Sequence, residues 1–255
     1  MTHTTKLELI QMKNFTQSLT VLLFIFYTQL TAQDCCGAEI NEGVVNTLDE
    51  EAFLKNAASK NVPLKALLIA GGCCHDYAQQ TKVLSEGIQQ RANIQVDVVW
   101  TRDQGHDPSF PLFKNPDWAK GYDLVIHDEC AGLKKDEAEL ANILKAHETI
   151  PAVLLHCAIH SFRNSDNQWH EHIGLASDRH GPHVPVAVEI TNKNHPIMQG
   201  LKDWVTGKEE LYNNTAIYGA ESLATGTQQY KKNGNDMTEK AIVIWINEKF
   251  GAPSF

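Results

Sequence analysis

From Pro63 onward, short apolar runs alternate with amphipathic stretches, and three of the runs stop at a polar cluster that carries histidine. Residues 65–70 run into Gly71-Gly72-Cys73-Cys74-His75-Asp76. Residues 122–126 run into His127-Asp128-Glu129-Cys130, and residues 152–155 into His156-Cys157-Ala158-Ile159-His160. Brief continuous apolar runs between helical stretches read as parallel strands buried on both faces. The intervening pattern agrees. Tyr77, Val83, Leu84 and Ile88 recur at helical spacing over residues 77–90, and residues 94–100 alternate as a strand does. Residues 134–147 form a helical stretch, acidic early and basic late, which suits the helix dipole. A further helix is expected from about Ala158. The alternation predicts a doubly wound α/β sheet. In such a sheet ligands bind beyond the carboxyl ends of the strands. His75, Glu129 and His156 are therefore expected to meet at one rim.

The rest of the chain is less regular. Residues 101–120 are loop-rich, with Pro108, Pro111 and Pro116. After Gly174, prolines 182, 185 and 196 punctuate short strands such as residues 184–190, which read as an insertion or sheet extension, and residues 241–246 read as a late strand. Residues 63–255 are expected to form one domain, preceded by a polar lead-in over 34–62 with a short helix near 48–58. Residues 1–33 read as a signal peptide: Lys13, an apolar stretch over 21–27 too short for a bilayer, then Ala32-Gln33. Met12 starts that pattern cleanly, so the segment before it reads as a mis-called start. The other reading is an N-terminal membrane anchor. The expected location is periplasmic or secreted, with no stable membrane insertion once the signal is removed.

Charge and cysteine content narrow the partners. The net charge of -9, without a Lys/Arg cluster, argues against nucleic acid. Outside the cytosol the six cysteines would tend to pair. Cys73, Cys74, Cys130 and Cys157 fall at predicted strand ends, where a bridge, a metal or simple buried thiols all fit. Adjacent cysteines seldom bridge each other, because the geometry is strained.

Nine of the twelve histidines lie between His127 and His195, which points to acid–base or metal chemistry in that half of the chain. His156 and His160 are four apart and could share a metal; the other reading is one core histidine and one facing solvent. Cys157 occupies the turn after a buried strand, where a nucleophile elbow presents its side chain, but Leu155 and Ile159 stand where an elbow carries glycines. Gly72 allows close backbone approach to a ligand, and Asp76 either binds substrate or caps the next helix. Glu129 is read as exposed at the crevice, as base, hydroxyl acceptor or metal ligand, or else as a solvated loop acid. Trp169-His170-Glu171-His172 is a poor metal motif, since residues two apart on a helix diverge. Arg179-His180-Gly181-Pro182-His183 is a predicted loop that could close over a polar substrate, with Arg179 binding it and His180 acting in catalysis.

Five segments, taken in order, resemble the ThuA-like (trehalose utilisation) family over roughly residues 64–246. They are Leu68-Ile69-Ala70-Gly71-Gly72-Cys73-Cys74-His75-Asp76-Tyr77, His127-Asp128-Glu129-Cys130, His156-Cys157-Ala158-Ile159-His160-Ser161-Phe162-Arg163, Arg179-His180-Gly181-Pro182 and His195-Pro196-Ile197-Met198-Gln199-Gly200. The resemblance implies a flavodoxin-like fold of the class I glutamine amidotransferase-like type, and a role in disaccharide or glycoside catabolism on keto derivatives made by a partner sugar dehydrogenase. It also implies metal binding through strand-end histidines, so zinc or another divalent metal is the expected cofactor. In the amidotransferase relatives an elbow cysteine works with a downstream histidine and glutamate; Cys157 matches that position, and no downstream His-x-Glu accompanies it. Family members continue past the late strand with a further strand and a Gly-His turn. This chain stops at Phe255, so a shortened C-terminal part is expected.

Three functions stay open at this point. The first is an exported enzyme isomerising, eliminating from or hydrolysing a keto-sugar, with His75, Glu129 and His180 in the chemistry and a metal at His156 and His160. The second is a non-catalytic carbohydrate-binding protein in which Trp118, Trp169 and Trp204 stack on sugar. The third is a Cys157-dependent hydrolase.

Overall fold

The computed structural model describes residues 62–249. The expected signal peptide and most of the polar lead-in lie outside the described residues. The first half is the α/β unit that the apolar runs predict. β1 (Leu64–Gly72), β2 (Ile94–Trp100), β3 (Leu124–Cys130) and β4 (Ala152–Leu154) form one sheet in the order β2-β1-β3-β4. All three pairings are parallel. The connections run through α1 (Tyr77–Arg91) and α2 (Glu137–Ala146). Asp76 caps α1 by accepting from the Gln79 amide, and Asp136 caps α2 through the amides of Ala138 and Glu139.

Both sheet faces are covered, which explains the continuous apolar strands. On one face Ala66, Leu68, Leu124 and Ile126 share a core with Leu84 and Ile88 of α1. On the other, Leu67, Ile69 and Val125 share a core with Leu140 and Ile143 of α2, Phe113 and Trp169. The strand order reverses between β1 and β3, and a crevice opens beyond their carboxyl ends.

The second half differs from the expected insertion. After the short α3 (Gln168–Ile173) and β5 (Leu175–Ala176) comes an antiparallel sheet in the order β10-β9-β6-β7. It comprises β6 (Val184–Ile190), β7 (Trp204–Glu209), β9 (Glu221–Lys232) and β10 (Asn235–Ile246); β8 (Ala216–Ile217) pairs with β5. Val186, Val188, Ile190 and Leu223 belong to the same core cluster as β1 and α1. The new sheet thus closes one flank of the crevice. β9 and β10 meet through a two-residue turn, Asn233-Gly234, with positive φ at both positions (52° and 80°), the conformation Asn-Gly favours in a hairpin. No helix among the described residues is long and apolar enough to cross a membrane.

A histidine and carboxylate cleft between the two sheets

Two strands continue further than their apolar runs suggest, and this decides which polar residues reach the crevice. β1 extends through Gly71-Gly72, and β3 extends through His127-Asp128-Glu129-Cys130. Alternate residues of a strand face opposite sides. Asp128 and Cys130 line a cleft of about 1030 Å³, whereas His127 and Glu129 turn to the other face.

Glu129 is therefore corrected from a crevice residue to a core residue. It is fully buried, 2.7 Å from His127 Nδ1, and His127 Nε2 is 2.9 Å from His147 Nε2. His147 Nδ1 donates to the Ile150 carbonyl at 2.8 Å, so its Nε2 accepts from His127. That leaves one proton shared between His127 Nδ1 and Glu129. Burial, then the neighbouring His127, push the His147 imidazole far below its ordinary range. The chain ends on the Ile150 carbonyl and leaves Glu129 Oε2 buried without a partner among the described residues.

The cleft gathers a different set. His75 follows β1 and His156 opens a 3₁₀ turn (His156–His160) after β4; their rings meet edge-to-face with centroids 4.7 Å apart. Opposite them stand Glu209 at the end of β7, then Glu210 and Tyr212. His156 Nε2 lies 3.2 Å from Glu209 Oε1 and 3.9 Å from Glu210 Oε2. The Tyr212 hydroxyl donates to Glu210 Oε2 at 3.3 Å and sits 3.3 Å from His156 Nδ1. His180 Nδ1 is 3.4 Å from Glu210 Oε1, which also bonds His183. Potential ligand atoms of His75, His156 and Glu210 all lie within 4.8 Å of one another.

Electrostatics suit these groups to binding a cation. Burial, and then the neighbouring His156, lower the His75 pKa, so its imidazole is neutral near pH 7. His75 Nε2 is buried with no hydrogen-bond partner among the described residues. Burial alone would raise the two carboxyls. Hydrogen bonds from His156 to Glu209 and from His183 to Glu210 outweigh it and hold both pKa values down. Burial and the Glu210 charge push the Tyr212 hydroxyl up, which keeps it protonated. Burial, then Glu129, raise the Asp128 carboxyl well above its ordinary range.

The other expected site residues are placed as follows. His160 lines the same cleft but is not in the group of converging donor atoms that holds His156. The segment is 3₁₀ rather than α-helical, and at 3.0 residues per turn a four-residue separation leaves side chains ~120° apart. His160 Nε2 pairs with Ser177 Oγ at 2.9 Å, and burial, followed by the Arg163 charge, lowers its pKa to about 4. Cys157 is bridged to Cys130 and buried, so the structure gives it no free thiol for a hydrolase. Gly72, at φ 103°, packs where a Cβ would collide with the Cys130 carbonyl oxygen, so close strand packing requires glycine there. Asp76 lines the cleft and also caps α1. Arg179 lines the cleft, largely exposed, and pairs with Glu239 at 3.4 Å. The 179–183 segment is anchored rather than loose: His180 bridges to Tyr212 and the Gly181 amide donates to the Leu211 carbonyl. Trp118 and Trp169 are buried, their indole N–H groups donating to Asn142 and Ala158 carbonyls, so neither offers a face to sugar.

Cys73 and Cys74 are also bridged, contrary to the expectation for adjacent cysteines. The chain leaves β1 through a run of positive φ at Gly71, Gly72 and Cys74, a sharp turn that puts the two sulfurs on one side. Glu209, Glu210 and Tyr212 were not legible as site residues. Their only signal is a pair of carboxylates and an aromatic at the end of a strand otherwise half exposed.

Comparison with known proteins gives the family and a similar fold. The sequence profile of the ThuA family, described as trehalose utilisation, matches residues 65–255. A solved structure of a putative ThuA-like protein from Parabacteroides merdae is similar in fold, with a TM-score of 0.57 and 20% identity over 76% of this chain and 78% of that one. No curated protein matches the chain. The family match spans both sheets and every segment that lines the cleft, and on that basis the chain belongs to the ThuA, or trehalose utilisation, family.

Proposed function

We propose that this protein is an exported, cation-assisted enzyme acting on keto derivatives of disaccharides or glycosides, by isomerisation, elimination or hydrolysis. One observation carries the reading: His75, His156 and Glu210 converge with donor atoms within 4.8 Å, beside an unpartnered imidazole nitrogen. Two imidazoles and a carboxylate form a donor set that zinc and other divalent metals accept. The family supports a sugar substrate, and a cleft rich in donors and acceptors fits a polyhydroxylated ligand. The strand order β2-β1-β3-β4 supports the flavodoxin-like assignment, whose order runs 2-1-3-4-5 with its ligand site between the first and third strands.

A divalent cation bound there would polarise a substrate carbonyl or hydroxyl oxygen. The protein groups divide the remaining work. Glu209 stays a carboxylate at the cleft wall and is the base for a proton next to a carbonyl. Tyr212 stays protonated between His156 and Glu210 and is the proton donor. Arg179 and Asp76, at the cleft wall, hold hydroxyls. A sugar dehydrogenase is the class of enzyme that would supply the keto substrate.

Elemental analysis of purified protein, together with turnover of a keto-disaccharide, tests the proposal. One divalent metal per chain, lost in His75→Ala and Glu210→Ala along with turnover, is expected. Metal-free wild type that binds glycosides without turnover would replace this reading with the carbohydrate-binding one.

A further inference from the structure

Four sulfurs converge where β1, β3 and β4 end. The Cys73–Cys74 and Cys130–Cys157 bridges lie against each other, with Cys73 Sγ only 3.4 Å from Cys130 Sγ. Their accessibility is unequal. Cys73, Cys130 and Cys157 are each buried at 4–5% exposure, while Cys74 is exposed. All four line the cleft, so a small molecule that enters it meets Cys74 first.

We propose that these bridges form a thiol–disulfide exchange relay on the cleft wall, whose substrate is a small dithiol entering at Cys74. A thiolate attacks a disulfide sulfur and expels the other sulfur as thiolate. The incoming thiolate attacks Cys74 Sγ, forms a mixed disulfide, and breaks the Cys73–Cys74 bond. Cys73 leaves as thiolate. It attacks Cys130 Sγ, forming Cys73–Cys130 and breaking Cys130–Cys157, and Cys157 leaves as thiolate and takes a proton. The second thiol of the reductant then attacks its own sulfur in the mixed disulfide and releases Cys74, which also takes a proton. The dithiol is oxidised to a cyclic disulfide, and the protein gains two electrons as thiols at Cys74 and Cys157. The inner bridge is thus opened without direct access from solvent.

The position of the relay matters for the cleft. Cys74 immediately precedes His75, and Cys157 immediately follows His156. Cys74 and His156 both hold positive φ, 87° and 49°, which side chains adopt only under constraint. Opening the relay therefore loosens the backbone at both imidazoles. That consequence rests on the proposed cation site; the exchange itself does not.

The test reads sulfur connectivity, so its failure is distinct from failure of the enzymatic reading. Full-length protein, purified without reductant, is treated with stoichiometric dithiothreitol, quenched with acid, alkylated and mapped by mass spectrometry. Labelling of Cys74 and Cys157 should rise about tenfold or more over untreated protein, with a new Cys73–Cys130 cross-link. Labelling of Cys73 and Cys74 with Cys130–Cys157 intact would overturn the relay, as would four free thiols before treatment. Cys74→Ser should place label on Cys157 as well as Cys73; label on Cys73 alone overturns the proposal. If that variant does not fold, Cys157→Ser provides the mirror case, in which Cys130 attacks Cys73 and label appears on Cys74.

Discussion

Two histidine clusters flank β3, built from the same residue types and put to opposite uses. On one face His127, His147 and Glu129 form a closed chain of hydrogen bonds that ends on a backbone carbonyl. On the other, His75 and His156 face Glu209 and Glu210 across a cleft, and His75 Nε2 is unpartnered among the described residues. The first cluster is sealed in the core: Glu129 Oε2 is left without a partner among the described residues, but neither it nor the two imidazoles line the cleft. The second holds groups in position and leaves one of them unsatisfied. Histidine and glutamate at a strand end thus mark a site only when the fold turns their open hydrogen-bonding capacity into a cleft.

Several changes would break or sharpen this contrast. Glu129→Ala strips His127 of its partner in a dry core and should destabilise the protein by about 3–5 kcal/mol in urea unfolding. Glu129→Gln should cost clearly less, and equal stability of Glu129→Ala and wild type would end the distinction. Acid comes next. His160 has a folded pKa of about 4 against an unfolded value near 6.5, so the unfolded chain binds the proton first. Its contribution is complete above pH 6.5 and is lost as pH falls towards 4, about 3 kcal/mol in all. Unfolding midpoints across that window should flatten in His160→Gln.

Asp76→Ala removes a helix cap and should cost about 1 kcal/mol, whereas Asp76→Asn keeps the cap at a cost of a few tenths. A loss of turnover in Asp76→Asn at unchanged stability would separate substrate contact from capping. The smallest stability effect is expected at His75. Compared in metal-free protein, His75→Ala should shift unfolding by no more than about 0.5 kcal/mol, yet it should abolish metal binding. A large destabilisation there would make the cleft cluster structural, like its buried counterpart.

Periodicity alone located β2, α1 and β6 nearly to the residue, and β1 and α2 to within three residues at each end, because a buried strand and an amphipathic helix write their faces into the local pattern. It also located the crevice and brought His75 and His156 to it. The β9–β10 hairpin closed by Asn233-Gly234 was missed; of it only residues 241–246 were read as a strand. Three decisions came only from tertiary structure. How far β3 runs past its apolar residues sent Glu129 inward and Asp128 outward, and a one-residue change in strand phase swaps the two faces. Whether the turn after β4 is 3₁₀ or α-helical separated His160 from His156. And Glu209, Glu210 and Tyr212, more than fifty residues from His156, reach it because the antiparallel sheet folds back over the crevice. Local sequence sets the period of an element; which distant element completes a site depends on how the sheets pack, and no local pattern encodes that.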